Sequence, residues 1–199
     1  MNKILIIAFL GVISFIIFFV IQSSNNEAEY VEKINLHWEE YNTFLKNSTS
    51  SPVTDKASFK GITFFEPNSD YKIDAEIELI QSDEIIELQT NQKDVRTYVR
   101  FAYLHFNLLG KQCKLTLFQN KNDKSDYFLP FSDKTNALST YSAGRYINVN
   151  VGSLRRLSFD FNKAMNPYCF YNKNYSCPIP PKENYLNFKI LAGQKKDTK

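Results

Sequence analysis

Tyr71-Lys72-Ile73-Asp74-Ala75-Glu76-Ile77-Glu78-Leu79 is the stretch from which the fold is read. Every second residue is apolar, and Lys72, Asp74, Glu76 and Glu78 fill the places between. Successive side chains of a strand point to opposite faces, so this pattern specifies a strand with one dry and one wet face, as in antiparallel sheets. Working outward, strand patterns recur at 59–65, 84–89, 96–108, 112–119, 146–151, 154–161 and 185–192. Gly110-Lys111 predicts a tight hairpin between the strands around it, and Gly152-Ser153 predicts a second. The 17 Phe and 12 Tyr suit pleated, half-buried surfaces. About eight short strands after one helix argue for a mainly β fold, an antiparallel sandwich or barrel.

Toward the N-terminus the period changes to that of a helix. Tyr30, Val31, Ile34, Trp38, Tyr41, Phe44 and Leu45 recur at steps of three and four, marking an amphipathic helix over 26–46. Ser24 with Glu27, or Asn26 with Glu29, offers a capping box, and Asn47-Ser48-Thr49-Ser50-Ser51-Pro52 supplies the stop. Before it, 4–21 carries no charge and is interrupted by Gly11 and Ser14 alone. At 1.5 Å per residue this run spans about 27 Å, close to the hydrocarbon thickness of a bilayer. It predicts a transmembrane anchor helix. The alternative is a cleaved signal peptide and a secreted domain, which calls for a shorter apolar core and a small-residue cleavage site. Lys3 precedes the run, whereas Lys33 follows it among Glu27, Glu29, Glu32, Glu39 and Glu40. The positive-inside tendency then places the domain on the extracytoplasmic, periplasmic side. The chain divides into an anchor at 1–24, a helix and linker at 25–52, a β-domain at 53–193 and a solvated tail at 194–199.

The charge balance excludes some classes of function. Lys and Arg total 24 against 21 Asp and Glu, a net charge of +3, and the basic residues are scattered. Such a surface has no nucleic-acid footprint. No Gly-x-Gly-x-x-Gly, phosphate loop, His-Glu-x-x-His or nucleophile elbow occurs, so no cofactor and no metal site is expected. His37 and His105 stand in no recognisable catalytic setting. Cys113 shares the apolar side of a strand with Leu115 and Leu117, as a buried free thiol does. Cys169 and Cys177 bracket a loop between Pro167 and Pro178, and outside the cytoplasm they are expected to form a disulfide.

Polar chemistry is densest between 130 and 184. Asp133, Tyr141, Arg145, Asp160, Asn162 and Asn166 are the candidate site residues. Asp133 with Thr135 reads as a self-bonded turn. Gly144 allows a bulge that would aim the Arg145 guanidinium. Asp160 interrupts an apolar strand end, and Arg145 is its expected partner. Such a pair either braces a loop-rich region or belongs to a polar site, with Arg145 orienting an anion and Asp160 acting as acid or base.

At these segments the chain resembles the bacterial and archaeal domain-of-unknown-function family 1684. The matching stretches are Phe-Lys-Gly-Ile-Thr-Phe-Phe from Phe59 and Leu-Pro-Phe-Ser-Asp-Lys-Thr-Asn from Leu129. Thr-Tyr-Ser-Ala-Gly-Arg-Tyr follows from Thr140, and Asp-Phe-Asn-Lys-Ala-Met-Asn-Pro-Tyr-Cys from Asp160. Cys-Pro-Ile-Pro-Pro-Lys-Glu-Asn from Cys177 and Ala192-Gly193 complete the set. The resemblance implies that Asp133, Thr135, Tyr141, Gly144, Arg145, Asp160, Asn162, Asn166, Cys169, Cys177 and Asn184 are motif positions. It implies no reaction. The chain departs from the pattern where the family usually has glycine, with Ala137-Leu138 after the Thr-Asn pair and Ser142-Ala143 before Gly144-Arg145.

Two functions are compatible with this pattern. One is a membrane-tethered β-domain that binds a small ligand or an envelope component. The other is an enzyme whose polar site is built from Tyr141, Arg145, Asp160 and Asn162.

Overall fold

The apolar run and the amphipathic stripe form one helix rather than two. In the computed structural model, which describes residues 3–81 and 84–198, α1 runs unbroken from Lys3 to Asn47. Between Gly11 and Pro52 the chain has neither glycine nor proline, so nothing in Gln22-Ser23-Ser24-Asn25-Asn26 stops the helix. The helix is long and apolar enough to cross a membrane, and its apolar window from Leu10 packs against nothing else in the chain.

Ten strands follow: β1 (Ile62–Phe64), β2 (Lys72–Leu79), β3 (Ile85–Gln89), β4 (Val95–Leu108), β5 (Lys111–Asn120), β6 (Asp123–Asp133), β7 (Arg145–Ile147), β8 (Arg156–Asp160), β9 (Tyr185–Leu186) and β10 (Gln194–Thr198). The main sheet has the order β7-β6-β5-β4-β2-β8, with β3 also on β4 and β9 parallel to β6. It is a curled antiparallel sheet, a half-barrel, rather than two stacked sheets or a closed barrel. The alternation in β2 works as expected, since Tyr71, Ile73 and Ala75 are buried while Lys72, Asp74 and Glu76 are exposed. The β4–β5 hairpin turns on Leu109 (φ 51°) and Gly110 (φ 75°), both left-handed, the two-residue turn whose twist matches the strands.

Three readings are corrected. The strands flanking Gly152-Ser153 do not pair with each other: β7 lies on β6 at one end of the sheet, and β8 lies on β2 at the other. Alternation sets which face a strand buries but not which neighbour it takes. β7 also stops at Ile147, short of 151, and on its other edge the Tyr146 backbone exchanges hydrogen bonds of 2.9 Å in both directions with Met165. Second, residues from Gln194 are not a solvated tail. β10 pairs with β1 in a two-stranded ribbon, Ile62 opposite Thr198 and Phe64 opposite Gln194, and Gln194 is fully buried. Third, the strand expected over 185–192 is only the two-residue β9, while β6, outside the expected strands, accommodates Pro130. Near Pro130 the β5–β6 ladder has opened, and the Asn184 side chain fills the gap. Its Oδ1 accepts from Thr116 N–H at 2.7 Å, and its Nδ2 donates to Thr116 O at 2.8 Å and Pro130 O at 2.7 Å.

Two apolar cores result. One fills the hollow of the sheet, around Leu104, Leu115, Leu117, Leu129, Phe131 and Phe161. The other lies under the C-terminal half of α1, where Ile34, Trp38 and Leu45 meet Val53 and Ile62.

Candidate functional site

Arg145 and Asp133 form a fully buried ion pair. Arg145 enters β7 from Gly144, whose φ of 95° is left-handed; a Cβ there would lie 2.6 Å from Pro180 Cγ and 2.7 Å from Phe131 O. The guanidinium Nη2 donates to Asp133 Oδ2 at 2.8 Å and to Ile190 O at 3.1 Å. Nη1 donates to Ala192 O, and the group lies 5.0 Å from the Phe131 ring centre. Burial pulls the guanidinium below its ordinary pKa, and Asp133 opposes that shift. Asp133 Oδ1 accepts from Thr135 N–H at 2.7 Å, the expected turn, and from Ile190 N–H at 3.3 Å. Arg145 therefore pairs with Asp133 and not with Asp160. The Arg145 side chain is sealed inside beside Ile190 and Ala192, whereas Asp160 is half-buried and turned to Tyr30 of α1.

Beyond this turn, Ala137 sits at φ 64°, the left-handed region. Alanine in that region costs about 1–2 kcal/mol. Ala137 is exposed, so no packing opposes a change there. Ala137→Gly is expected to raise stability by about 0.5–1 kcal/mol, net of the extra freedom glycine has when unfolded. A urea unfolding midpoint unchanged or lowered by the substitution would contradict this.

Asp160 and Asn162 belong to a second group, at the junction of α1 with the sheet. Asp160 caps a 3-10 turn at Phe161–Lys163 through Asn162 N–H, at 2.8 Å. Its Oδ2 accepts from Tyr30 Oη of α1 at 2.8 Å. Asn162 Nδ2 lies 2.8 Å from Tyr30 Oη and 2.8 Å from Asn68 O, and its Oδ1 accepts from Asn68 N–H at 3.1 Å. Trp38 Nε1 donates to Asn162 O at 3.0 Å. These bonds latch the helix to the domain.

They also floor a half-open cleft of about 230 Å³ between α1 and the β2–β8 edge. Ile34, Ile147 and Phe159 give it an apolar wall, and Lys33, Lys72 and Lys163 bring cations from α1, β2 and the 3-10 turn. Lys72 sits directly opposite Asp160 across the β2–β8 pair.

Tyr141 and Asn166 occupy further, separate settings. Tyr141 Oη lies 3.9 Å from Cys169 Sγ, and burial raises its pKa to about 12. Asn166 N–H donates to Gln194 Oε1 at 2.9 Å, and its Nδ2 donates to Lys195 O at 3.0 Å, tying β10 down. The expected Cys169–Cys177 disulfide is absent from the structure: both thiols are free and buried. The Cys177 sulfur instead accepts a hydrogen bond from Cys169 N–H at 3.2 Å, within the 3-10 turn Tyr168–Phe170. The Cys169 thiol beside it draws the Cys177 pKa down to about 7.

Among the six candidates, then, hydrogen bonds join Asp133 to Arg145 and Asp160 to Asn162, while Tyr141 and Asn166 bond elsewhere. Tyr30, Lys33, Lys72 and Lys163 are what sequence reasoning missed. Tyr30 reads as one more member of an apolar stripe. The lysines lie far apart in the chain and share no motif, so only the tertiary fold brings them together.

A curled antiparallel β-sheet carrying a long N-terminal helix is the class of protein this chain represents. Residues 57–195 match the family described as protein of unknown function (DUF1684), and the chain belongs to that family. It is also similar to the NMR structure of an uncharacterized protein of Haloarcula marismortui, at 28% identity and a TM-score of 0.63. That match covers 84% of this chain and 95% of the other. No curated protein matches the chain.

Proposed function

We propose that this chain is a membrane-tethered binding module whose β-domain, on the extracytoplasmic side, holds a small ligand in the cleft between α1 and the β2–β8 edge. The observation that carries this reading is the cleft itself. It is half-open, it combines an apolar wall with unspent cations, and Tyr30 and Asp160 in its lining are hydrogen-bonded to each other. Sites of this make-up, apolar with a few placed polar groups, are where proteins hold small molecules. The position of Lys3 before the apolar run and the acidic flank after it support the side of the membrane. The buried Arg145–Asp133 pair is closed to any ligand and serves the fold.

The test is native mass spectrometry of the full chain isolated in lipid nanodiscs from its own membranes. A small non-covalent ligand is expected on the unaltered chain and not on Asn148→Trp, which puts a large ring at the exposed lip of the cleft. Retention of the same ligand by the filled variant would overturn the assignment to this cleft.

A further inference from the structure

We infer that the cleft selects a phosphate-type dianion carried on a short apolar stem, an assignment that rests on the binding reading above. Lys33 and Lys72 are exposed and Lys163 is half-buried. Among the described residues none of their three ammonium groups has a hydrogen bond or an ion pair. The lining holds one carboxylate, Asp160, and both of its oxygens already accept hydrogen bonds, Oδ2 from Tyr30 and Oδ1 from Asn162. Three cations against one occupied carboxylate leave an excess of two positive charges, which a dianion matches. Each cation comes from a different element, so they approach a bound group from separate directions. Ile34, Ile147 and Phe159 then offer surface to an apolar stem. The volume of about 230 Å³ falls below the 300–1,000 Å³ typical of drug-sized ligands, so the occupant is a headgroup with a short stem.

A phosphate headgroup of this kind could come from a soluble metabolite or from a membrane lipid, and geometry favours the first. Tyr30 and Lys33 lie nine and twelve residues past Ile21, which is about 14–18 Å of helix. The headgroup layer adds about 5–8 Å beyond the hydrocarbon on each side. With the helix upright, the cleft opens about 6–13 Å above the lipid headgroups.

The probe is phenyl phosphate, with benzyl alcohol as its uncharged counterpart, measured by equilibrium dialysis against the full chain in phosphatidylcholine nanodiscs. One phenyl phosphate is expected to bind per chain, with benzyl alcohol at least about tenfold weaker. The variant Lys33→Gln/Lys163→Gln is expected to lose about tenfold in affinity, whereas Lys33→Arg/Lys163→Arg stays within about threefold. Unchanged circular dichroism in both variants keeps the comparison one of charge. Raising ionic strength from about 0.01 to 0.15 M should weaken phenyl phosphate several-fold and leave benzyl alcohol unaffected. In nanodiscs containing phosphatidic acid the affinity is expected to hold. A tenfold loss there would assign the phosphate to a bilayer lipid and still support the three-lysine site. Equal binding of the two probes, or of phenyl phosphate to the Gln and the unaltered chains, would overturn anion selection while leaving the cleft as a binding site. Failure of phenyl phosphate to bind at all would also overturn it, and the Asn148→Trp comparison then decides the binding reading separately.

Discussion

Arg145→Ala is expected to destabilise the domain by about 3–5 kcal/mol, a large share of the roughly 5–15 kcal/mol typical of a folded domain. The loss comes from what remains rather than from the contact itself. Asp133 is completely buried and would be left with only the Thr135 and Ile190 N–H groups for partners. The carbonyls of Ile190 and Ala192 would lose their donor in the same stroke. Those two residues lead into β10, so the ribbon with β1 should loosen together with the pair. Replacing both charges, as in Arg145→Met with Asp133→Leu, is expected to recover part of the loss, because a buried pair often breaks even against apolar residues of similar size. Urea unfolding of the full chain in mild detergent, followed by circular dichroism, gives the comparison. A midpoint for Arg145→Ala near that of the unaltered chain would show that the pair does not brace the fold.

Trp38→Ala is expected to cost a comparable 3–5 kcal/mol, and the damage should be localised differently. Trp38 is 1% exposed, stacks on Phe64 with ring centres 5.6 Å apart, and meets Tyr41 edge-on at 5.8 Å. It also supplies the only described donor to Asn162 O, worth about a further 1 kcal/mol. Removing it empties the core beneath α1, while the sheet hollow around Leu104 and Leu117 is untouched. Amide exchange should therefore accelerate first in the 30–45 region of the helix and in the β1–β10 ribbon. Trp38→Phe keeps most of the apolar volume and should cost well under half as much. Uniform acceleration across β4 and β5 would contradict the division into two cores.

The sheet was largely legible because its signals are local. Tyr71 to Leu79 alternates, and Gly110 marks the hairpin, although the turn is Leu109-Gly110 rather than the expected Gly110-Lys111. The helix was legible too, although its unity was not: an apolar run and an amphipathic stripe look like two objects until the absence of any breaker between them is weighed. What could not be read was long-range. Nothing in 146–161 tells that β7 and β8 sit at opposite ends of the sheet, and nothing there tells that Arg145 turns inward to Asp133 while Asp160 turns to Tyr30 of α1. In β6 the donor that Pro130 lacks is made good from far along the chain, where Asn184 bridges Thr116 and Pro130. Gln194 to Thr198 looked like a tail because a polar ribbon strand is recognisable only beside its partner β1. The motif residues were found, but as a list; that Asp133 and Arg145 are sealed inside while Asp160 faces a cleft is a property of the fold. The lysines of the cleft gave no signal at all.

In the proposed arrangement one helix leaves the bilayer and packs its C-terminal half on the β-domain, building the cleft between them. Trp38 is the single tryptophan of the chain and lies in that interface, so its fluorescence in the full chain reconstituted in vesicles tests the claim directly. The emission is expected to be blue-shifted and resistant both to aqueous iodide and to lipids brominated on their acyl chains. A red-shifted emission quenched by iodide would mean that the helix stands free of the domain, and quenching by brominated lipid would mean that this half of the helix lies in the membrane.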